Sequence, residues 1–393
     1  MLKLTEYIKN ENLLVDHLAT GVVEVRHHNT LPLSIYCYGK RATFETLWDE
    51  VTCKTRGLIV RDETLDIIAR PFEKFFNVDT SFRPETAFSE LAKEPFVPHI
   101  QDKLDGSMGT YWSYEGRYGI ATKGSFHSEQ AEWATAWIHN HYENEKTGKH
   151  TQYWVHPWTP VFEIITQKVQ HHVVHYGPHE DNKLVLIGMC NRQSGEELLG
   201  SVLAHQGQIN GIEVAQTASA VWTGSDANLR TLIALQQYTR PNREGFVMSF
   251  ARSGKPPLKV KIKHDDFLRL QRIAHYTTPK VVFEYCKLGN WDEINTVIRD
   301  ASPYLSNQVK EWVTNYQNEY DRISKDARYW VTMAPLECTT RKEYAAFFHQ
   351  EHVKPMSAVC FNMLDEKCHT GTIWDLVEPL VKQQKFSEVE AEG

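Results

Sequence analysis

Up to about residue 264 the chain alternates short apolar runs with polar turns, which is the texture of strands. Residues 55–78 read as strands joined by a tight turn near Asp62–Thr64. Residues 107–123 repeat the pattern around Glu115-Gly116-Arg117, a hairpin with glycine at its turn. Two further strand pairs are expected, at 160–165 with 183–191 and at 244–250 with 258–263. One helix interrupts them. From Ser128 to about Tyr142, Ala131, Ala134, Trp137 and Ile138 share a helical face, with Ser125 or Ser128 as the cap.

After Lys263 the period changes. Asp265 can cap a helix carrying Phe267, Leu270, Ile273 and Ala274, and Thr278-Pro279 opens another that ends at Gly289. Residues 303–334, 340–352 and 372–384 also predict helices, followed by a fraying tail. The expected architecture is α+β: an antiparallel-sheet domain over 1–264 and an all-helical C-terminal domain over 265–393.

The 393 residues, 41% hydrophobic and 24% charged, fit a globular protein of two or three domains. No run reaches the roughly 18 apolar residues of a membrane span, and the N-terminus lacks a signal-peptide pattern. A cytoplasmic monomer is the expectation. Seven scattered cysteines without a C-x-x-C pair predict free, mostly buried thiols. A net charge of -7 argues against a globally basic nucleic-acid coat but leaves room for a local basic groove.

Candidate chemistry starts at Lys103, two residues ahead of the Asp105-Gly106-Ser107 turn. By itself it reads as a surface lysine. Further along, Glu163 lies inside an apolar run, where an acid is costly unless paired or functional. Glu244-Gly245 again places a carboxylate before an apolar run, and Lys261 and Lys263 alternate with Val260 and Ile262, so both amines share a strand face. Structural readings exist for each: a cross-strand pair between Glu163 and Lys261, an edge strand protected by lysines, or a core position for Phe76.

The ordered set Arg56-Gly57, Lys103-x-Asp105-Gly106, Glu163, Glu244-Gly245 and Lys261-x-Lys263 resembles the motifs of the covalent nucleotidyltransferases, the superfamily of ATP-dependent ligases and capping enzymes. With "RPFEKFFN", "TKGSFHSEQA" and "NRQSGEEL" added, residues 30 to 265 look most like the RNA ligase 1 family of T-even bacteriophages. That resemblance implies an ATP-dependent RNA ligase acting with magnesium, or manganese in its place. Lys103 would form lysyl-AMP, AMP would pass to an RNA 5′-phosphate, and a 3′-hydroxyl would then seal the strand.

The same likeness implies roles position by position. Lys103, Lys261 and Lys263 would be catalytic; Arg56, Lys74 and Phe76 would bind nucleotide or RNA phosphate, and Lys123 matches a further essential lysine. Glu163 would lie near the ribose, Glu244 at the metal and reacting phosphate, and Val247 against adenine, with Glu244 and Glu163 as metal ligands. Partners would be ATP and single-stranded or nicked-loop RNA ends, tRNA among them, in the host cytoplasm for a phage protein.

An attacking lysine must be neutral, whereas at its usual pKa only about one in two thousand is neutral at pH 7. Burial and neighbouring cations are therefore expected to lower Lys103, and the glycine turn to let the backbone approach the nucleotide. The histidine-rich stretch 169–180 is read as partly exposed side chains near RNA rather than a metal site, and Tyr36, Tyr38 and Lys40 as either base-stacking or core. A DNA ligase, a capping guanylyltransferase or a non-catalytic nucleic-acid-binding relative would share several of these residues. The first two usually continue into a small β-barrel, where this chain predicts helix.

Overall fold

In the computed structural model the described residues are 1–144, 157–166, 174, 182–218, 223–239, 243–301, 303–334 and 338–379. Contacts divide the chain into two compact units, with the boundary between Leu268 and Arg269, inside the helix Asp265–Tyr276.

Strands of the first unit are, in chain order, β1 (Val23–His27), β2 (Leu33–Tyr38), β3 (Arg56–Arg61), β4 (Ile67–Ala69), β5 (Phe76–Asn77), β6 (His99–Lys103), β7 (Ser107–Tyr114), β8 (Arg117–Thr122), β9 (Trp158–Thr166), β10 (Asn182–Asn191), β11 (Glu197–Leu198), β12 (Thr217–Ala218), β13 (Gly245–Phe250) and β14 (Leu258–Lys263). They form three sheets, ordered β1-β2-β3-β4, β11-β10-β9-β7-β8 and β12-β6-β13-β14-β5. Pairing is antiparallel throughout except between β5 and β14, which run parallel.

The expected strand pairs are present. β7 and β8 close through Glu115 and Gly116, both at positive φ, the geometry of a two-residue hairpin turn. Between β8 and β9 the helix Glu129–Asn144 is capped by the Ser128 hydroxyl, which accepts from the Ala131 amide at 3.3 Å. Its buried Ala131, Ala134 and Ile138 confirm the expected face. β14 is flanked by β13 and β5, so its lysines do not guard an exposed edge. Lys261 on β14 and Glu163 on β9 stand on different sheets, and among the described residues Lys261 makes no ion pair.

A buried pair ties two of these sheets together. The Lys259 ammonium on β14 meets Glu197 on β11 and lies 3.4 Å from the centroid of the Phe72 ring. Burial pushes the Glu197 carboxyl upward against the opposing pull of Lys259.

In the second unit the helices Pro279–Leu288, Trp291–Asp300, Pro303–Met333, Arg341–Phe348, Ser357–Leu364 and Thr370–Val377 pack around buried Phe283, Tyr316, Phe348 and Trp374. Two of them, Trp291–Asp300 and Ser357–Leu364, were not anticipated. The first follows the left-handed Gly289 that ends its predecessor with an interval of one residue, so the stop signal masked the next start. None of the seven cysteines is in a disulfide, and only Cys368 is exposed. Except for Val174, the histidine-rich stretch 169–180 lies outside the described residues, as does the C-terminal tail.

Breaking the Lys259–Glu197 pair on one side strands a buried charge. Lys259→Met should lower the unfolding free energy in chemical denaturation by about 3–5 kcal/mol, and adding Glu197→Leu should recover most of it. Equal losses in the single and double variants would exclude this coupling.

Candidate active site

Register assembles the centre. β6 ends at Lys103, β13 starts at Gly245 and β14 ends at Lys263, and these three residues lie opposite one another across adjacent strands. One row inward, Gln101, Val247 and Lys261 are likewise aligned, and strand alternation puts them on the same face. The opposite face is buried, through Ile100, Phe246, Val260 and Ile262. There Asp102 pairs with Arg243, which anchors the backbone just ahead of Glu244.

Glu244 joins the row. Its side chain, 5% exposed, accepts from Lys103 Nζ on Oε2 at 2.6 Å and from Lys263 Nζ on Oε1 at 3.2 Å. Gly245 makes this possible, because a Cβ there would stand 1.9 Å from the Ile262 carbonyl oxygen. Lys103 and Lys263 keep 23% and 14% of their side-chain surface in solvent.

The electrostatics reverse the expectation for Lys103. Burial alone would lower its pKa, but Glu244, then Glu163 and Asp105, outweigh burial and hold it above the usual lysine value. The depressed amine is Lys261, which burial, reinforced by Lys103 and Lys263, brings from 10.5 down to about 7. Arg56 adds to that depression, so its guanidinium belongs to the same field.

The glycine of the Asp105-Gly106 turn serves a contact within the protein. A Cβ on Gly106 would lie 2.6 Å from the Ile164 carbonyl oxygen and 2.9 Å from Glu163 Cγ. The turn thus presses against β9 and brings Glu163 within electrostatic reach of Lys103. Gly57 acts similarly: its φ is +78°, and a Cβ would meet the Lys123 Cα and carbonyl oxygen at 3.2 Å, which seats Arg56 beside the Lys123 segment.

A second group of site candidates clusters on aromatic rings. Lys74 Nζ stands 4.9 Å from the Trp48 centroid, 5.4 Å from Tyr38 and 5.7 Å from Phe76, and Lys123 Nζ stands 4.4 Å from Tyr38. Tyr38 and Phe76 are both buried, so the core reading applies to their rings. Sequence reasoning missed Trp48 and this use of Tyr38; cations flanking scattered aromatics were the signal to be found. Phe76 reaches the first group through β5, where it faces Val260, the neighbour of Lys261.

Two buried donors, Arg56 Nη1 and Gln101 Nε2, have no hydrogen-bond partner among the described residues. Orphaned donors beside a lysine row suit a ligand rich in acceptors, such as a nucleotide phosphate. A resident metal fits less well. Among the described residues no three His, Cys, Asp or Glu side chains form a metal-holding group, and both Glu244 oxygens are engaged by ammonium groups.

Two outcomes follow. Removing the charge in Glu244→Gln should shift the pH midpoint for modification of Lys103 by an amine-reactive probe downward, read by peptide mass spectrometry; an unchanged midpoint would contradict the clamp. Lys261 binds a proton less readily folded than unfolded between pH 7 and 10.5, so its contribution to stability rises with pH across that window and its penalty is full below 7. Lys261→Met should therefore stabilise the protein at pH 6, with the gain shrinking towards pH 10 in denaturant titrations. A pH-independent gain would instead reflect packing.

A family model described as RNA ligase matches residues 54–268. A Thermovibrio ammonificans protein, provisionally named an RNA ligase, is 28% identical over 255 residues, which cover 64% of this chain and 60% of that protein. The chain thus spans less than two thirds of this relative's length. Among solved structures, an Aquifex aeolicus protein provisionally described as an ATP-dependent DNA ligase aligns with a TM-score of 0.44 at 9% identity, covering 91% of this chain and 99% of that one. An archaeal ATP-dependent RNA ligase gives 0.42 at 12%, covering 77% and 75%, and a Naegleria gruberi RNA ligase with AMP and manganese gives 0.36 at 15%, covering 46% and 53%. The family match takes in more than half of the 393 residues, from Arg56 through the paired lysines of β14, and on it the chain belongs to the RNA ligase family.

Proposed function

We propose that this protein is an ATP-dependent RNA ligase joining 5′-phosphate and 3′-hydroxyl RNA ends, with Lys103 as the carrier of AMP. The observation that carries the reading is the row in which Glu244 bridges Lys103 and Lys263 while Lys261 stands alongside. Three amines around one carboxylate make a site that an incoming polyphosphate can reorganise.

ATP enters as its magnesium complex, so the cation is part of the substrate, and manganese would serve the same purpose. The α-phosphate competes with Glu244 for Lys263 and draws a proton onto Lys261, whose low pKa reflects burial and the neighbouring Lys103 and Lys263. Charged Lys261 then opposes the proton on Lys103. Once it has released that proton to solvent, neutral Lys103 Nζ attacks the α-phosphorus; the N–P bond forms as the nitrogen sheds a second proton to solvent, the bond to the bridging oxygen breaks, and pyrophosphate leaves with the electron pair. An RNA 5′-phosphate oxygen next attacks the same phosphorus and Lys103 departs, taking up a proton. The 3′-hydroxyl of the second end finally displaces AMP from the activated 5′ end.

In this reading Glu163 and Val247 hold ribose and adenine, and Arg56, Lys74, Phe76 and Lys123 hold phosphates, directly or through packing. Glu244 and Glu163 contact the cation only after phosphate has released Glu244 from its lysines. Residues 1–264 constitute the adenylyltransferase domain and 265–393 a helical domain that selects the RNA, tRNA included. Its described residues are helical where DNA ligases and capping enzymes usually carry a barrel. The monomer and the cytoplasmic setting belong to the proposal too; among the described residues no helix is long and apolar enough to cross a membrane.

With α-labelled ATP and magnesium, label should survive denaturation in wild type and vanish in Lys103→Ala. Labelling from GTP alone would favour a capping enzyme, and absence of label would overturn the proposal. Preference for 5′-phosphorylated DNA over RNA in strand joining would reassign the polynucleotide.

A further inference from the structure

We infer that Phe82 is a stacking platform for a nucleobase of the RNA strand, at the open end of an aromatic ladder that begins beside Lys74 and Lys123. This inference rests on the ligase reading above.

The ladder runs Tyr38, Trp48, Phe76, Phe82. Successive centroids are 5.0, 5.6 and 5.5 Å apart, with interplanar angles of 85°, 70° and 88°. Edge-to-face packing of this kind fixes each ring by its neighbour. The ladder begins at Tyr38, under Lys74 and Lys123, and both Tyr38 and Phe76 are buried. Phe82 at the outer end is 47% exposed. It is therefore a rigidly backed aromatic surface rather than an isolated exposed side chain.

Cations rim the same rings. Lys74 Nζ lies 4.9 Å from Trp48, and Arg83 Cζ lies 4.8 Å from Phe76 while its Nη1 meets Glu85 at 3.5 Å. The whole chain carries -7, so cations gathered on the rings behind Phe82 are a local departure that suits a polyanion. Rings flanked by ammonium and guanidinium groups match the two halves of a nucleotide, base and phosphate, and such platforms bind single strands with little sequence preference. None of the residues assigned to nucleotide chemistry above presents an exposed aromatic face; Phe82 supplies one on the ladder that carries Lys74 and Lys123.

The test uses the full chain, Phe82→Ala and Phe82→Trp, and a fluorescent single-stranded RNA oligonucleotide with a 5′-phosphate. Label uptake from α-labelled ATP checks the ligase reading separately, since its failure in wild type would sink that reading whatever Phe82 does. Given label uptake in all three proteins, Phe82→Ala should weaken RNA binding about tenfold and Phe82→Trp should restore it. A Phe82→Ala protein with wild-type affinity overturns the inference, as does rescue by Phe82→Leu equal to that by tryptophan. Oligonucleotides abasic next to the 5′-phosphate or next to the 3′-hydroxyl identify the stacked end: one of them should bind wild type and Phe82→Ala alike. Neither doing so would also overturn the inference.

Discussion

Everything at the candidate site depends on one nearly buried carboxylate shared by two ammonium groups. Glu244 would be costly in that position without partners, and Lys103 and Lys263 supply them from strands on either side. The arrangement demands that three strand ends coincide, which the common register through Gly245 achieves. Lys261 stands in the next row and has no such partner among the described residues: burial first, then the nearby Lys103 and Lys263, depresses its pKa, while the carboxylates around Lys103 raise that of the clamped amine.

The site divides its labour between two kinds of support. Around Lys103 the lysines are positioned by sheet register and by an opposing acid. Around Lys74 and Lys123 they lie over aromatic rings, which attract a cation without neutralising it. A carboxylate partner must be displaced before phosphate can bind; a ring need not be.

Much of the fold was legible because alternation is a local signal. Buried Val260 and Ile262 between Lys261 and Lys263 declared both the strand and its working face, and Glu115-Gly116 declared a hairpin. Short helices such as Glu11–Ala19 and Gly200–Asn210 went unread, since a few turns of weakly patterned sequence give little periodicity to detect. The parallel β5–β14 pair was also invisible, being only two residues long on one side. For the candidate site, the order of motifs along the chain pointed to residues that the sheet brings together, Lys103, Glu244, Lys261 and Lys263, but not to their charge states. The rise at Lys103 depends on Glu244, which is remote in sequence, and no local pattern distinguishes a clamped lysine from one under pressure to deprotonate.

Gly57 makes a broader point about how such a chain can change. Between it and Lys123 the polypeptide traverses several strands and loops, and lengthening a surface loop there would cost only in proportion to the logarithm of its size. A single methyl group on Gly57, by contrast, would press on the Lys123 backbone at 3.2 Å while straining a left-handed residue. Tolerance to insertion and tolerance to substitution are therefore distributed oppositely along this sequence: whole loops are expendable in length, whereas the spacing between two motifs hangs on the absence of one carbon atom.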